Sequence, residues 1–265
     1  VTFNQRVGFD ATTNEGNILA NYTRHFGVYR LDVTAGDGIN ILANITTYEH
    51  MNFNSDVRIG SRLDNDLTRY LFSMDPAVNF LGKVDGVVAD RYFLDVRAIG
   101  FDASVRNQPP DHRSQPLVEF AKDVGSMMSL KGLTTQAVIA SISEMKPGEN
   151  FQRVPVSRST DAGIVRFRGN ITTSGGQTHM ANRVEVSGAG SRGTEFNGTS
   201  FDMAIGSGGI VSPSGGRPKI RFSTNPTGET LRQLQRAGAT ITSMPSDATP
   251  ESVMAQQARN KHAIH

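Results

Sequence analysis

Asn17-Ile18-Leu19-Ala20-Asn21-Tyr22-Thr23 returns as Asn40-Ile41-Leu42-Ala43-Asn44-Ile45-Thr46, with six of seven residues identical at an offset of 23. The echo is architectural rather than catalytic, because it repeats apolar and turn-forming residues and no titratable group. Around it, residues 1–107 read as strands. Short β-branched and apolar runs such as Tyr29-Arg30-Leu31-Asp32-Val33-Thr34 nearly alternate, the signature of a half-buried strand. Gly16-Asn17, Gly36-Asp37-Gly38 and Asp85-Gly86 separate them, as tight turns require.

Two further echoes lie in the same region. Tyr29-x-Leu31-Asp32-Val33 returns as Tyr92-x-Leu94-Asp95-Val96, and Gly8-Phe9-Asp10-Ala11 as Gly100-Phe101-Asp102-Ala103. The offsets of 23, 63 and 92 share no period, so a regular solenoid is not established. The expectation is a mainly β protein, an antiparallel sandwich or barrel-like fold with a small helical insert and a helical C-terminal tail. Four regions follow: β-rich 1–107, a helical insert at 108–148, β-rich 149–224 completing the same or a second domain, and a partly helical tail at 225–265.

The insert opens after Pro109-Pro110. Leu117, Phe120, Ala121, Val124, Met127 and Met128 recur at helical spacing, which predicts one amphipathic helix. Thr134 or Thr135 then caps a second, with Val138, Ile139, Ile142 and Met145 inward. Strands resume at 149–224 with Gly163 to Arg168, Arg183 to Val186 and Lys219 to Phe222. In the tail, Thr227 to Arg236 predicts a short helix with Leu231 and Leu234 aligned and Gly238 as its stop. Residues 250–263 can be helical, but Val253 and Met254 are their only sizeable apolar residues before Ile264, so this segment needs a partner to become ordered.

Composition narrows the function. With 265 residues the chain can bury a real core. It has no run long and apolar enough to span a membrane. No charged start followed by an apolar stretch marks a signal peptide at Val1 to Arg6. The absence of Cys excludes disulfides and thiolate metal sites. Asn-x-Thr sequons stand at Asn21, Asn44, Asn170 and Asn197. Residues 1–146 hold 14 Lys/Arg against 17 Asp/Glu, and residues 147–265 hold 13 against 8. The second part is therefore basic and Arg-rich, which suits an interface at Arg166 and Arg168.

Catalytic signals are sparse. Gly188-Ala189-Gly190-Ser191-Arg192-Gly193 fits a dinucleotide-loop pattern. A helix should open at its third glycine, with a carboxylate about 20 residues further on; neither follows, and Asp202 comes too early. Gly198-Thr199-Ser200 resembles the nucleophile triplet of subtilisin-like proteases, yet none of the six His stands in that family's Gly-rich context. Ser200 with Lys219 is the one candidate pair, since a serine needs a base within reach. Asp85, Asp90 and Asp37 are the candidate Ca²⁺ ligands, although no EF-hand spacing links them. No other cofactor is expected. His262 and His265 lack carboxylate support as a metal site.

Gly169-Asn170-Ile171-Thr172-Thr173-Ser174-Gly175-Gly176, together with the Asn-Ile-Leu-Ala-Asn echo and Gly36-Asp37-Gly38-Ile39-Asn40, resembles the strand-turn phrasing of bacteriophage tail fibres and related virion proteins. The resemblance implies a structural subunit of a capsid, baseplate or fibre. It would be located in the virion, with copies of itself, other virion proteins and a host-surface glycan as partners. The alternatives are a serine hydrolase using Ser200, and a carbohydrate-binding attachment module using Tyr22, Tyr29 and Tyr48. Assembly also has a physical motive: few aromatics, no Trp and many strands leave edges that symmetric neighbours can cover.

Overall fold

The computed structural model describes residues 1–8, 28–47, 49–63, 66–73, 77–101, 115–142, 156–159, 162–187 and 193–243. The chain winds as a coil of parallel strands whose three walls nearly close a tube around one core. Wall one stacks β1 (Thr2–Phe3), β3 (Ile39–Ile41), β6 (Val57–Ile59), β9 (Val84–Gly86), the single residue Val124, β15 (Ile171–Thr172), β17 (Glu195–Gly198), β19 (Lys219–Phe222) and β20 (Thr240–Ser243). Wall two stacks Val7, β4 (Ile45–Thr47), β7 (Thr68–Ser73), β10 (Phe93–Phe101) and β12 (Gly132–Ile142), then the first halves of β16 (Gln177–Val186) and β18 (Phe201–Val211). Wall three stacks β2 (Leu31–Val33), β5 (Met51–Phe53), β8 (Ala77–Phe80), β11 (Leu117–Phe120) and β14 (Ile164–Phe167), then the second halves of β16 and β18. β16 passes from one wall to the next where its register shifts between Ala181 and Arg183.

Successive strands of the chain thus visit successive walls. A complete circuit runs β3–β4–β5, the next β6–β7–β8, the next β9–β10–β11. The fifth coil is Val124–β12–β14, the sixth β15–β16, the seventh β17–β18, and β19 begins the eighth. This corrects the antiparallel sandwich. The only antiparallel pair among the described strands is β12 with β13 (Val156–Ser159).

One corner explains the winding. Phe53-Asn54-Ser55-Asp56-Val57 recurs as Phe80 to Val84, Phe120 to Val124 and Phe167 to Ile171. Each Phe ends a wall-three strand, and each Val or Ile stands four residues on in wall one. Three residues make the corner, so backbones of neighbouring coils approach closely. A Cβ on Gly82 would lie 2.3 Å from the Ser55 carbonyl carbon, and one on Gly169 2.4 Å from the Asp123 nitrogen. Glycine is the residue that fits such an approach. Corner side chains lock to the next coil: the Asp56 carboxylate accepts the Lys83 N–H at 2.8 Å, that of Asp123 the Asn170 N–H at 2.8 Å, and the Asn170 side-chain Oδ1 the Glu195 N–H at 3.0 Å.

Inside, identical positions stack. The rings of Phe53, Phe80, Phe120 and Phe167 form a ladder with centroids 5.2, 4.8 and 5.7 Å apart and planes within 17°. That repeat follows the spacing of paired strands, about 4.8 Å. Ile39, Val57, Val84, Val124, Ile171, Phe196 and Ile220 make the parallel ladder on wall one, all buried.

The expected helical insert is strand. Leu117–Phe120 and Gly132–Ile142 are extended, and Val118 and Phe120 face inward at period two. The four-residue step from Phe120 to Val124 crosses a corner, and it mimics a helical turn in the sequence. Thr134, Thr135, Val138 and Ile139 are β-branched and suit a pleated wall. The one described helix, α1 (Gly228–Arg236), falls where the tail reading put it, with Leu234 buried. It seats on β18: the Met203 N–H donates to the Thr230 hydroxyl at 3.1 Å, and that hydroxyl donates to Asp202 at 2.8 Å. The tail as a whole is not helical, because β20 follows α1. Residues 250–263 lie outside the described residues.

Candidate interaction surface

The corner between walls one and two carries an apolar ridge. Leu63, Val87, Val88, Met127 and Met128 stand there 69, 44, 46, 70 and 45% exposed. The ridge crosses consecutive coils, and its backbone is pinned at several points. The Val87 N–H donates to the Ile59 carbonyl at 2.8 Å, and the Gly86 N–H to the Met128 carbonyl at 2.8 Å. Asp85 accepts the N–H groups of Met127 and Met128 at 2.9 and 3.3 Å. At Gly60 a Cβ would sit 2.8 Å from both Leu42 Cδ2 and Val87 Cγ2, so Leu42 and Val87 close over it and join two coils. Asp90, at φ 60°, is tied to the same turn by its N–H to the Ser129 carbonyl at 2.8 Å and by the Ser129 hydroxyl on its carboxylate. The sequence reading favoured Met127 and Met128 on the inner face of a helix over a docking role for them, and the structure exposes both. The signal was available in the adjacent apolar pairs Val87-Val88 and Met127-Met128, which no period-two strand can bury together.

The outer face of wall three is polar and internally paired. Asn52 donates to Asp32 at 2.6 Å, and Asn79 to Asn52 at 2.8 Å. The Asn52 amide and then the Arg30 guanidinium hold the Asp32 carboxyl below its ordinary value. Further along, Glu119 meets Arg166 at 3.0 Å and Arg168 at 2.6 Å, and Glu185 meets Arg166 at 2.6 Å and Arg183 at 2.7 Å. Arg166 and Arg168, expected at an interface, therefore spend their charge within the chain. Val253 and Met254, the other expected interface residues, lie outside the described residues.

The candidate catalytic pair is not brought together. Lys219 is in register with Glu195, at the start of its rung. Ser200 lies beyond the other end of that rung, where its carbonyl accepts the Gln177 N–H at 2.8 Å. Its hydroxyl oxygen would be 2.6 Å from a Cβ on Gly176. With Lys219 at the far end of the rung, that pair supplies Ser200 with no activating base among the described residues. A fluorophosphonate probe is expected to leave the protein unlabelled, and covalent labelling that Ser200→Ala abolishes would restore the hydrolase reading.

Of the Ca²⁺ candidates, Asp85 and Asp90 hold backbone and hydroxyl donors of one neighbouring turn, and Asp37 sits in the turn before β3. Among the described residues no three acidic or His side chains gather as a metal site. The sequon residue Asn197 is 1% exposed and out of reach of glycan attachment, and the Asn170 side chain is engaged at its corner. Asn21, Tyr22, Tyr48, His262, His265 and most of the 188–193 glycine pattern lie outside the described residues. No described helix is long and apolar enough to cross a membrane. No protein-family model, curated protein or solved structure matches this chain.

Proposed function

We propose that the chain is a structural subunit that works by self-association, and that its setting is the virus or phage particle its strand-turn phrasing suggests. The observation that carries the reading is the set of exposed apolar side chains Leu63, Val87, Val88, Met127 and Met128 at one corner of three consecutive coils. Exposed apolar side chains gathered in one place mark an association site, whereas single ones scattered over a surface do not. Rigidity adds to this, since a pinned backbone loses little entropy on docking. Flexible thioethers at Met127 and Met128 let the strip conform to an opposing copy.

Native mass spectrometry tests the proposal. The wild-type chain is expected as a defined oligomer. Val88→Lys combined with Met127→Lys is expected to be monomeric with an unchanged melting temperature. Burying one such side chain is worth about 1.5–3 kcal/mol, so the pair weakens association at least ~100-fold. A wild-type monomer at high concentration, or an oligomer indifferent to both lysines, overturns the reading.

A second reading, a carbohydrate-attachment face, has one observation in its favour. Tyr29 is 67% exposed beside Arg30, Asp32 and Asn52 at one end of the polar wall. A glycan array with Tyr29→Ala as control decides it.

A further inference from the structure

We propose that protonation of His179 is an acid trigger that opens the C-terminal coils while the N-terminal coils stay wound. The residue lies in β16 on the inner face of wall two and has no solvent exposure. Its Nδ1 is 2.8 Å from the Thr135 hydroxyl, and its Nε2 has no partner among the described residues. The ring is caged by Phe167 at 4.9 Å, Phe201 at 5.4 Å and Phe196 at 6.0 Å. In register it stands between Thr135 and Met203. The groups facing it are therefore Thr135 from β12, Phe167 from β14, Phe196 from β17, and Phe201 and Met203 from β18. Gln177 is its inward neighbour on its own strand. None of these titrates or carries charge, so among the described residues an imidazolium here has no counter-ion. A buried unpaired charge is among the costliest features a core can hold.

The position of the cage decides where that cost is felt. The phenylalanine ladder ends at Phe167, whose partner in the next coil is Val186. Beyond it the packing turns edge-on, with Phe167 and Phe196 at 89°. His179 thus sits at the seam between a stacked N-terminal core and a differently packed C-terminal one. In a coiled array each turn is held by its neighbours, so a penalty at one interface is local. The shorter side comes away first, and here that side is 195–243.

Burial pushes the His179 imidazole down to about 3 from its ordinary 6.5. Above pH 6.5 the open and closed forms are both neutral, and the residue adds no pH dependence. Below it the open form takes the proton and the closed form refuses it. Closure therefore weakens steadily as the pH falls from 6.5 toward 3. At pH 4.5 the open form has gained about 100-fold.

Hydrogen–deuterium exchange of the intact chain at pH 7 and pH 4.5, corrected for intrinsic rates, tests this against His179→Gln. Protection across 195–243 is expected to fall 10- to 100-fold in the wild type at pH 4.5, with 39–120 unchanged. The variant, which cannot titrate, is expected to keep its protection. A fall spread evenly over the chain, no fall in the wild type, or the same fall in His179→Gln overturns the proposal. If the variant does not fold, C2–H exchange of His179 in the wild type decides. A titration midpoint below about 4.5 supports the trigger, and one near 6.5 overturns it.

Discussion

Replacing Phe120 by alanine is expected to lower the free energy of unfolding by about 3–5 kcal/mol. Phe120 has no solvent exposure and lies between Phe80 at 4.8 Å and Phe167 at 5.7 Å. Alanine removes the transfer free energy of a whole ring. It also leaves a slot whose walls are two rigid aromatic faces, which cannot collapse into it. Each lost ring contact adds about 0.5–1.5 kcal/mol beyond area burial. The position is central in the ladder, so both halves of the stack lose a neighbour, whereas loss at Phe53 would affect one side only. Phe120→Leu retains much of the volume and is expected to cost less than half as much. Urea titration followed by far-UV circular dichroism reads the shift in midpoint. A loss below about 1 kcal/mol for Phe120→Ala would show that the ladder does not hold the coils together.

The same ladder shows what the sequence made legible and what it hid. The phrase from Phe to Val or Ile marks four described corners between walls three and one, but from one such Phe to the next the spacing is 27, 40 and 47 residues, and the same spacing recurs elsewhere, at Phe3–Val7 and Phe201–Ile205. The β12 strand and the stretches 102–114 and 143–155 fall between copies, so no fixed period survives. The first copy of the Asn-Ile-Leu-Ala-Asn echo, 17–23, lies outside the described residues, and the glycines that open the Gly-Phe-Asp-Ala echo are not equivalent positions. Gly8 lies against Thr46 of wall two, while Gly100 pairs with Ile139 on the extended end of β10. Strand content was readable, because period-two alternation at Val165 to Phe167 or Arg183 to Val186 reports a half-buried wall whichever way its neighbour runs. Parallel pairing was not, because Gly36-Asp37-Gly38 serves a corner as well as it serves a hairpin. The helix α1 was readable from the aligned Leu231 and Leu234 and from Gly238. The ridge was lost through the helix reading of 117–128, which turned Met127 and Met128 inward. The pairing of Arg166 and Arg168 within the chain was not legible, because Glu119 and Glu185 stand 47 and 19 residues from Arg166.

Arg69→Ala is expected to be as damaging as the ladder variant, for a different physical reason. Arg69 occupies an inward position of β7 in register with Leu94, and it is 1% exposed. Its guanidinium donates to the Gly60 carbonyl at 2.6 Å, to the Asp66 carboxylate at 2.8 Å, to the Asn44 side chain at 3.4 Å and to the Asp66 carbonyl. Alanine leaves a cavity and strips the Gly60 and Asp66 carbonyls of a charged donor at once. The Asp66 carboxylate is 51% exposed and keeps its solvation, so the loss falls on the two carbonyls, at about 1.5–3 kcal/mol for each charged hydrogen bond removed. Arg69→Leu matches the Leu94 ladder position and refills part of the space, so it is expected to recover the packing share but none of the hydrogen bonding. Arg69→Lys keeps the charge but has no planar fork to meet several acceptors. Alanine is therefore the worst of the three in chemical denaturation. The effect reaches the ridge, because Gly60 and Asp66 flank the turn in which the Ser61 hydroxyl donates to the Leu63 carbonyl at 2.9 Å. If Leu63 works from a fixed corner, Arg69→Leu weakens self-association more than its loss of stability alone accounts for. Association at wild-type strength in a folded Arg69→Leu protein would show that the ridge does not depend on this buried anchor.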